Sequence, residues 1–522
     1  MQESHSIFKK WLPGKLVAPI FMLALFPHLM LLTIFNMNST FTASFLDLEV
    51  DDLQFMFSMA YATIVCGLFI HVRFFEFFNI RSYLLFMTMM NIIVLFAMTL
   101  TINTQVLIIL RMIQGPLMLF EGCILLPVIM SSIKSENARI IGYSVLYGFM
   151  MTGDKFATSI VKFAIENYNH NMIVYTVIIF HVLSLILYAV TLNHNRIFAK
   201  KPLFQLNLGG IFLMLISLIS GSFFLIYGKK LYWFESPQIV FAFATCLIFS
   251  ALFIVHQKTT KRPLFHFEIL RSQRVIIGIV LFFFFYLLRS SLSNIYQVMG
   301  QIWKWPWDYI LKIQYFNVAG TIVGVMIAYI MLIKKVDYKH IFIIAFTLLA
   351  SSMLWFSYIF VPDAKVDAIA PILILEGLGQ GILFAPLVFF MLGSVHQSIS
   401  GSVAQTGTAA RFWTNTIGFS IMQNVVLHLT TKHQFLMIKN LDLTSPIFQE
   451  EWSNVFNKNI VNHLHNDSVS LSVTTLKTKL YNQALLITNI EIFRTLFVIS
   501  LLVVVLLIIY HPIKNKLFRT SL

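Results

Sequence analysis

Charged residues make up only 11% of this 522-residue chain, and cysteine occupies three positions. A soluble domain carries roughly 25% charged residues. A chain this poor in charge, with 58% hydrophobic residues, is an integral membrane protein. Cys66, Cys123 and Cys246 each stand alone in an apolar stretch with no Cys-x-x-Cys spacing, which reads as buried packing thiols rather than a disulfide or metal framework. The signatures of soluble catalysis are missing too. There is no G-x-x-x-x-G-K followed by Ser or Thr, no H-E-x-x-H and no Gly-x-Ser-x-Gly elbow, so the sequence points to no enzyme and no resident cofactor. Without an ATP-binding loop, an ion gradient is the remaining energy source for moving a solute. No interval between apolar segments is long enough for a separate globular domain, so helices must satisfy the backbone polar groups internally. The first apolar segment has no small-residue cleavage site after it and reads as a retained span.

Fourteen apolar segments are present, from 16–36 at the start to 485–510 at the end. They group as a six-helix bundle in 1–192, two central linker spans with basic loops in 193–274, and a second six-helix bundle in 275–522 with an outer loop at 431–484. An even count places both termini on one side. With that side cytoplasmic, the short inner loops and termini hold 21 Lys and Arg against 5 in the opposite short loops, the bias of the positive-inside rule. The formal charge of +15 is therefore a topology signal directed at membrane lipid, and no nucleic-acid partner is implied. Trp303, Trp305 and Trp307 form an interfacial aromatic belt. In the outer loop, 465–483 mixes polar with spaced apolar residues, consistent with a short amphipathic helix, and His463 and His465 read as solvated polar residues rather than a metal site.

The chain is organised around 105–132, a span-length stretch that carries Arg111 and Glu121. A bare charge at membrane depth costs at least ~2.5–3.5 kcal/mol, so such residues face a bundle interior or a water-filled cavity. Ten helical residues leave the two roughly 80° apart on the wheel, so both can border one cavity. Gln114 and Gly115 lie one turn beyond Arg111, adding a hydrogen-bonding group and close backbone access. Further intramembrane charges are Asp154 and Lys155 beside Gly153, Arg289, Glu376, Arg411 and Glu491, with His28 reading as a satisfied interior histidine. Arg111, Lys162 and Glu491 lie near helix ends, where snorkelling is common. For Asp154 the plain alternative is a structural ion pair with a neighbouring base. The run Phe282–Phe285 reads as packing or lipid-facing surface, with an aromatic drug pocket as the alternative.

Leu107 to Gly115, with Arg111 and Gln114, resembles the fourth-span motif of major facilitator transporters. The stretch HFEILRSQRVIIG, the run from Glu376 to Leu387, Ser402 through Arg411 to Gly418, and Gln483 through Glu491 to Phe493 are similar, in order and spacing, to the fourteen-span drug/proton antiporters of the EmrB/QacA type. That resemblance implies a major facilitator fold of two six-helix bundles plus two central spans, 14 transmembrane helices in all. It implies alternating access, with a central cavity exporting amphipathic small molecules against protons from a bacterial inner membrane. In a Gram-negative host it further implies a periplasmic adaptor and an outer-membrane channel as partners. Arg111 would influence proton movement with support from Gln114 and Gly115. Glu76, Arg81, Gly153 and Gly418 would serve conformational gating.

The sequence departs from the family pattern at three places. Leu31 to Asn36 lacks the usual first-span acid, Asn79 replaces a Gly between Glu76 and Arg81, and Gly153-Asp154-Lys155 stands where Gly-Pro is usual. Glu121 or Asp154 is accordingly expected to carry the proton. A dedicated carrier of one metabolite and a non-transporting membrane sensor or scaffold are the competing readings.

Overall fold

A computed structural model describes residues 7–34, 39–133, 135, 137–167, 171–196, 200, 207–261, 263–393, 400–439, 441–442, 444–461 and 465–509. Its first helices are α1 (Gly14–Leu23), α2 (Phe26–Thr33), α3 (Ser39–Leu46), α4 (Val50–Gly67), α5 (His71–Phe77), α6 (Ile80–Thr99), α7 (Thr104–Ser132), α8 (Ala138–Asn167) and α9 (Met172–Thr191). Two central helices follow, α10 (Leu208–Tyr227) and α11 (Pro237–Thr259). The rest are α12 (Gln273–Ser290), α13 (Leu292–Gln301), α14 (Trp307–Ile333), α15 (Tyr338–Phe356), α16 (Val366–Leu392), α17 (Ser400–Lys439), α18 (Pro446–Ile460) and α19 (His465–Ile509).

All fourteen expected segments fall on helices, but not as fourteen uniform spans. Among the described residues, ten helices are long and apolar enough to cross a membrane, and eleven if the bent pair α4 and α5, with a 58° break, forms one span. The first expected span is broken between α1 and α2. Pro27 explains the break, because it sits in the first turn of α2, where its missing N–H is tolerated, and it cannot continue the helix before it. The other exceptions are α8 and α17, which carry Asp154, Lys155 and Lys162, and Gln405, Thr408 and Arg411. Both run along the seam between the bundles, where a helix need not be apolar all round.

The segment 431–484, expected as an outer loop with a short amphipathic helix in 465–483, is mostly helical, and that helix is the start of α19. The segment comprises the end of α17, α18 and the first turns of α19. Lys479 pairs with Glu451, and Asn459 Nδ2 donates to Ser472 Oγ at 3.0 Å, tying α18 to α19. His465 opens α19, whereas His463, Phe35, Asn36 and the basic tail 510–522 lie outside the described residues.

Within the first bundle α4 packs on α7 and α6 on α9. In the second, α14 packs on α16, α15 on α16 and α19, and α12 on α17. The α14–α16 crossing is close because glycines interdigitate. A Cβ at Gly320 would strike the Ile374 carbonyl, and one at Gly377 would strike the Asn317 carbonyl. Small residues at such spacing let membrane helices approach backbone to backbone. The bundles meet along α8 with α14 and α4 with α17, while α10 packs on α11 and α4 and reaches α17.

Candidate functional site

Between the bundles lies a cavity of about 510 Å³. Tyr61, Met118 and Tyr147 line it from one side, and Phe282, Met391 and Arg411 from the other. The wall is largely apolar. Its acidic and basic members are His28, His71, Glu76 and Arg411. A volume in this range suits a small molecule. One end of the cavity reaches His71 and Glu76 on α5 and the residues that flank 394–399, Leu392 and Val403. Toward the other end α8 closes on α14, where Ser159 and Tyr315 share a hydroxyl hydrogen bond of 2.5 Å and Lys162 pairs with Asp308.

Arg411 is 8% exposed and held by its own helix, through Nη2 to Thr408 Oγ1 at 2.7 Å and Nε to the Gly407 carbonyl at 3.2 Å. Its guanidinium lies 5.9 Å from the ring centres of both Tyr147 and Phe384, a cation–π arrangement. None of the ion pairs among the described residues involves it.

Behind His28 sits a second centre. Glu121 is fully buried and accepts from Thr88 Oγ1 at 2.5 Å and Asn91 Nδ2 at 2.9 Å, both on α6. His28 Nε2 is 3.4 Å from Glu121 Oε1. The His28 ring meets that of His181 edge-on at 5.4 Å. His181 Nδ1 is 2.9 Å from the Val177 carbonyl, which assigns the proton to Nδ1 and leaves Nε2 as an acceptor. Ligand atoms of His28, Glu121 and His181 all lie within 4.8 Å of one another, so this group suits a shared proton or a small divalent cation.

The second bundle buries a carboxylate of its own. Glu376 accepts from Gln380 Nε2 at 2.8 Å and Asn317 Nδ2 at 3.2 Å. Arg289 Nη1 donates to Gln380 Oε1 at 2.9 Å and approaches Met151 Sδ of α8 at 3.6 Å. The structure thus links Arg289 to Glu376 through one amide, at the seam of the bundles.

Other expected site residues are placed elsewhere. Arg111 Nη1 donates to the Leu31 carbonyl at 2.7 Å and to Gln114 Oε1 at 2.5 Å, and Gly115 admits Ala60 and Thr63 of α4 where a Cβ would clash. Neither Arg111 nor Glu121 lines the cavity, contrary to the helical-wheel expectation, because α7 presents Met118, Gly122 and Cys123 to the open space and turns Glu121 toward α6 and Arg111 toward α2. Asp154 and Lys155 pair with each other at 3.1 Å, and Lys155 also lies over the Tyr296 ring. Gly153 is buried on α8. Glu76 is buried at the cavity wall, and Arg81 meets His194 Nε2 at 2.8 Å. Asn79 accepts from Arg196 Nε at 2.8 Å, a contact that a glycine lacks. Gly418 brings α17 near the backbone of Tyr286, 3.3 Å from a would-be Cβ. Sequence reading passed over His181, although an intramembrane histidine is itself a functional signal. Thr88, Asn91, Asn317 and Gln380 gave no such signal.

No protein-family profile matches the chain. Multidrug export protein EmrB of Escherichia coli (strain K12) is 20% identical over 290 residues, 54% of this chain and 54% of that protein. The chain thus matches about half the length of these curated relatives. The solved tetrameric peptide transporter PepTSo2 is 13% identical with a TM-score of 0.56, covering 97% of this chain and 98% of that one. A POT family transporter in complex with a thioalcohol-conjugated peptide is 11% identical with a TM-score of 0.56, covering 97% and 96%. At such identities the likeness carries the fold alone: the chain is an all-helical, multi-pass membrane protein with a fold of the major facilitator type.

Proposed function

We propose that this protein is a secondary active transporter that exports hydrophobic or amphipathic small molecules in exchange for protons by alternating access. The observation that carries the reading is the cavity walled by both bundles and shut toward one end by α8 against α14. A cavity of that kind delivers solute to the opposite side when the seam rocks, which requires contacts that break and reform. The Ser159–Tyr315 and Lys162–Asp308 contacts are of that kind. The positive-inside bias assigns the His71 and Glu76 end to the cytoplasm and both termini with it.

Coupling falls to buried carboxylates. Glu121 is favoured over Asp154, because His28 joins Glu121 to the cavity wall whereas Asp154 is engaged by Lys155. Protonating Glu121 neutralises it and turns an acceptor into a donor at the His28 contact, which alters the contact between α2 and α7. Glu376, linked through Gln380 to Arg289, is the matching group of the second bundle. Arg111 and Gln114 hold the end of α2 beside the centre. Glu76, Arg81, Gly153 and Gly418 serve as gating positions. The likeness to EmrB supports export from a bacterial inner membrane. A periplasmic adaptor and outer-membrane channel are proposed partners, to be sought by co-purification from a Gram-negative host.

The test uses everted membrane vesicles with an imposed pH gradient, a panel of amphipaths and a pH-sensitive dye. Substrate-triggered proton release that is lost in Glu121→Gln supports the reading. Folded protein that releases no protons with any compound defeats it, in favour of a scaffold.

A further inference from the structure

Most of the cavity wall is apolar, which discriminates weakly among ligands. Among its few charged and polar members, Arg411 stands apart. Its side chain is nine-tenths buried, it is charged at every accessible pH, and it lines the open space. Two of its nitrogens are used locally, by Thr408 and the Gly407 carbonyl. Its Nη1 has no hydrogen-bond acceptor among the described residues. A buried cation normally has an anionic partner, since leaving it alone is strongly unfavourable. Here the near neighbours are the faces of Tyr147 and Phe384, and no carboxylate of a described residue pairs with it.

We infer that the cavity selects amphipathic organic anions, the anionic group docking on Arg411 Nη1 and the apolar body filling the space toward Met118, Phe282 and Met391. The inference rests on the cavity being the substrate site of the proposed transporter and names the class of that substrate. The planar guanidinium fork matches a carboxylate, sulfonate or phosphate, and burial strengthens the pairing. Tyr147 and Phe384 hold the guanidinium by their faces without neutralising it, so its charge stays available. The other polar wall groups fit this placement. Glu76, the one acid on the wall, lies on α5 with His71, and His28 lies beside Glu121. An organic cation placed against Arg411 meets a like charge with no acid paired to screen it.

The test measures binding to the purified full chain in lipid nanodiscs by equilibrium dialysis, with three probes of one apolar body. These are naphthalene-1-acetate, 1-naphthylmethylamine and 1-naphthalenemethanol. The anion is expected to bind at least about tenfold more tightly than the amine, equivalent to about 1.4 kcal/mol. Arg411→Gln should erase that preference, with an unchanged melting temperature and a monodisperse size-exclusion profile reporting that the variant is folded. Arg411→Lys should restore part of it, because it keeps the charge without the fork. Equal or tighter binding of the amine, or anion binding untouched in Arg411→Gln, overturns the inference. Binding is read without a gradient, so a protein that prefers the anion yet moves no protons defeats the transport reading alone.

Discussion

His28 Nε2 lies 3.4 Å from Glu121 Oε1, with both side chains withdrawn from solvent. The first-span acid that the family resemblance leads one to expect is absent, and a histidine one turn earlier reaches the carboxylate of α7 instead. Because His28 also belongs to the cavity wall, the pair joins the space open to solute with a group able to hold a proton.

From that geometry, Glu121→Gln can keep an oxygen to accept from Asn91 while its amide nitrogen faces the Thr88 hydroxyl as a donor, but it cannot exchange a proton. The expected outcome is near-normal thermal stability in detergent, retained binding of naphthalene-1-acetate, and substrate-triggered proton release reduced by tenfold or more, of the order found when a proton-transferring group is removed. Parallel melting curves and dye traces check it.

Arg111 fastens α7 to the broken first span through the Leu31 carbonyl. Arg111→Ala strands that acceptor, which costs about 1–3 kcal/mol when buried. A lower melting temperature and a slower flux are expected together. Both bonds come from the one nitrogen Nη1, so Arg111→Lys, whose ammonium has donors for both but lacks the planar group and its reach, should recover part of the stability and of the flux.

The glycine seam separates folding from function. Gly377→Val should give little monodisperse protein on size exclusion, because its side chain would collide with the backbone of α14. Gly148→Ala is the control, with Val325 Cγ1 at an ordinary 3.7 Å from the new Cβ. It should leave the melting temperature unchanged or raise it, as alanine favours the helix by roughly 0.5–1 kcal/mol.

Closure toward the far end is expected to depend on the Lys162–Asp308 pair. In Lys162→Ala, a cysteine introduced by Tyr315→Cys should react with a membrane-impermeant maleimide about twofold faster or more, since an exposed pair biases an equilibrium only modestly. An unchanged labelling rate would assign closure to the apolar part of the α8–α14 seam.

Much of the fold was legible in the sequence because a helix in lipid announces itself by an apolar run, and Pro27 marks the break in the first one. The helices of 431–484 were harder to read. Their polar and apolar residues alternate without a membrane-length run, and α18 gains its place on α19 through tertiary contacts such as Lys479 with Glu451, Asn459 with Ser472 and Phe456 against His465. The site was legible as a set of charges and not as a set of contacts. The wheel gives the angle between Arg111 and Glu121 on their own helix, but not that α7 packs with a different face toward the cavity and turns these two toward α2 and α6. Partners such as Asn91, Asn317 and Gln380 are neutral residues whose role exists only after the helices pack.

The most direct test of the central claim reconstitutes the purified chain in proteoliposomes and follows a labelled amphipathic solute under an imposed pH gradient. The account predicts accumulation that stops when an ionophore collapses the gradient and that is absent in Glu121→Gln vesicles. Solute movement of equal size with and without the gradient would contradict proton coupling. No movement at all, from protein that still binds the solute, would contradict transport.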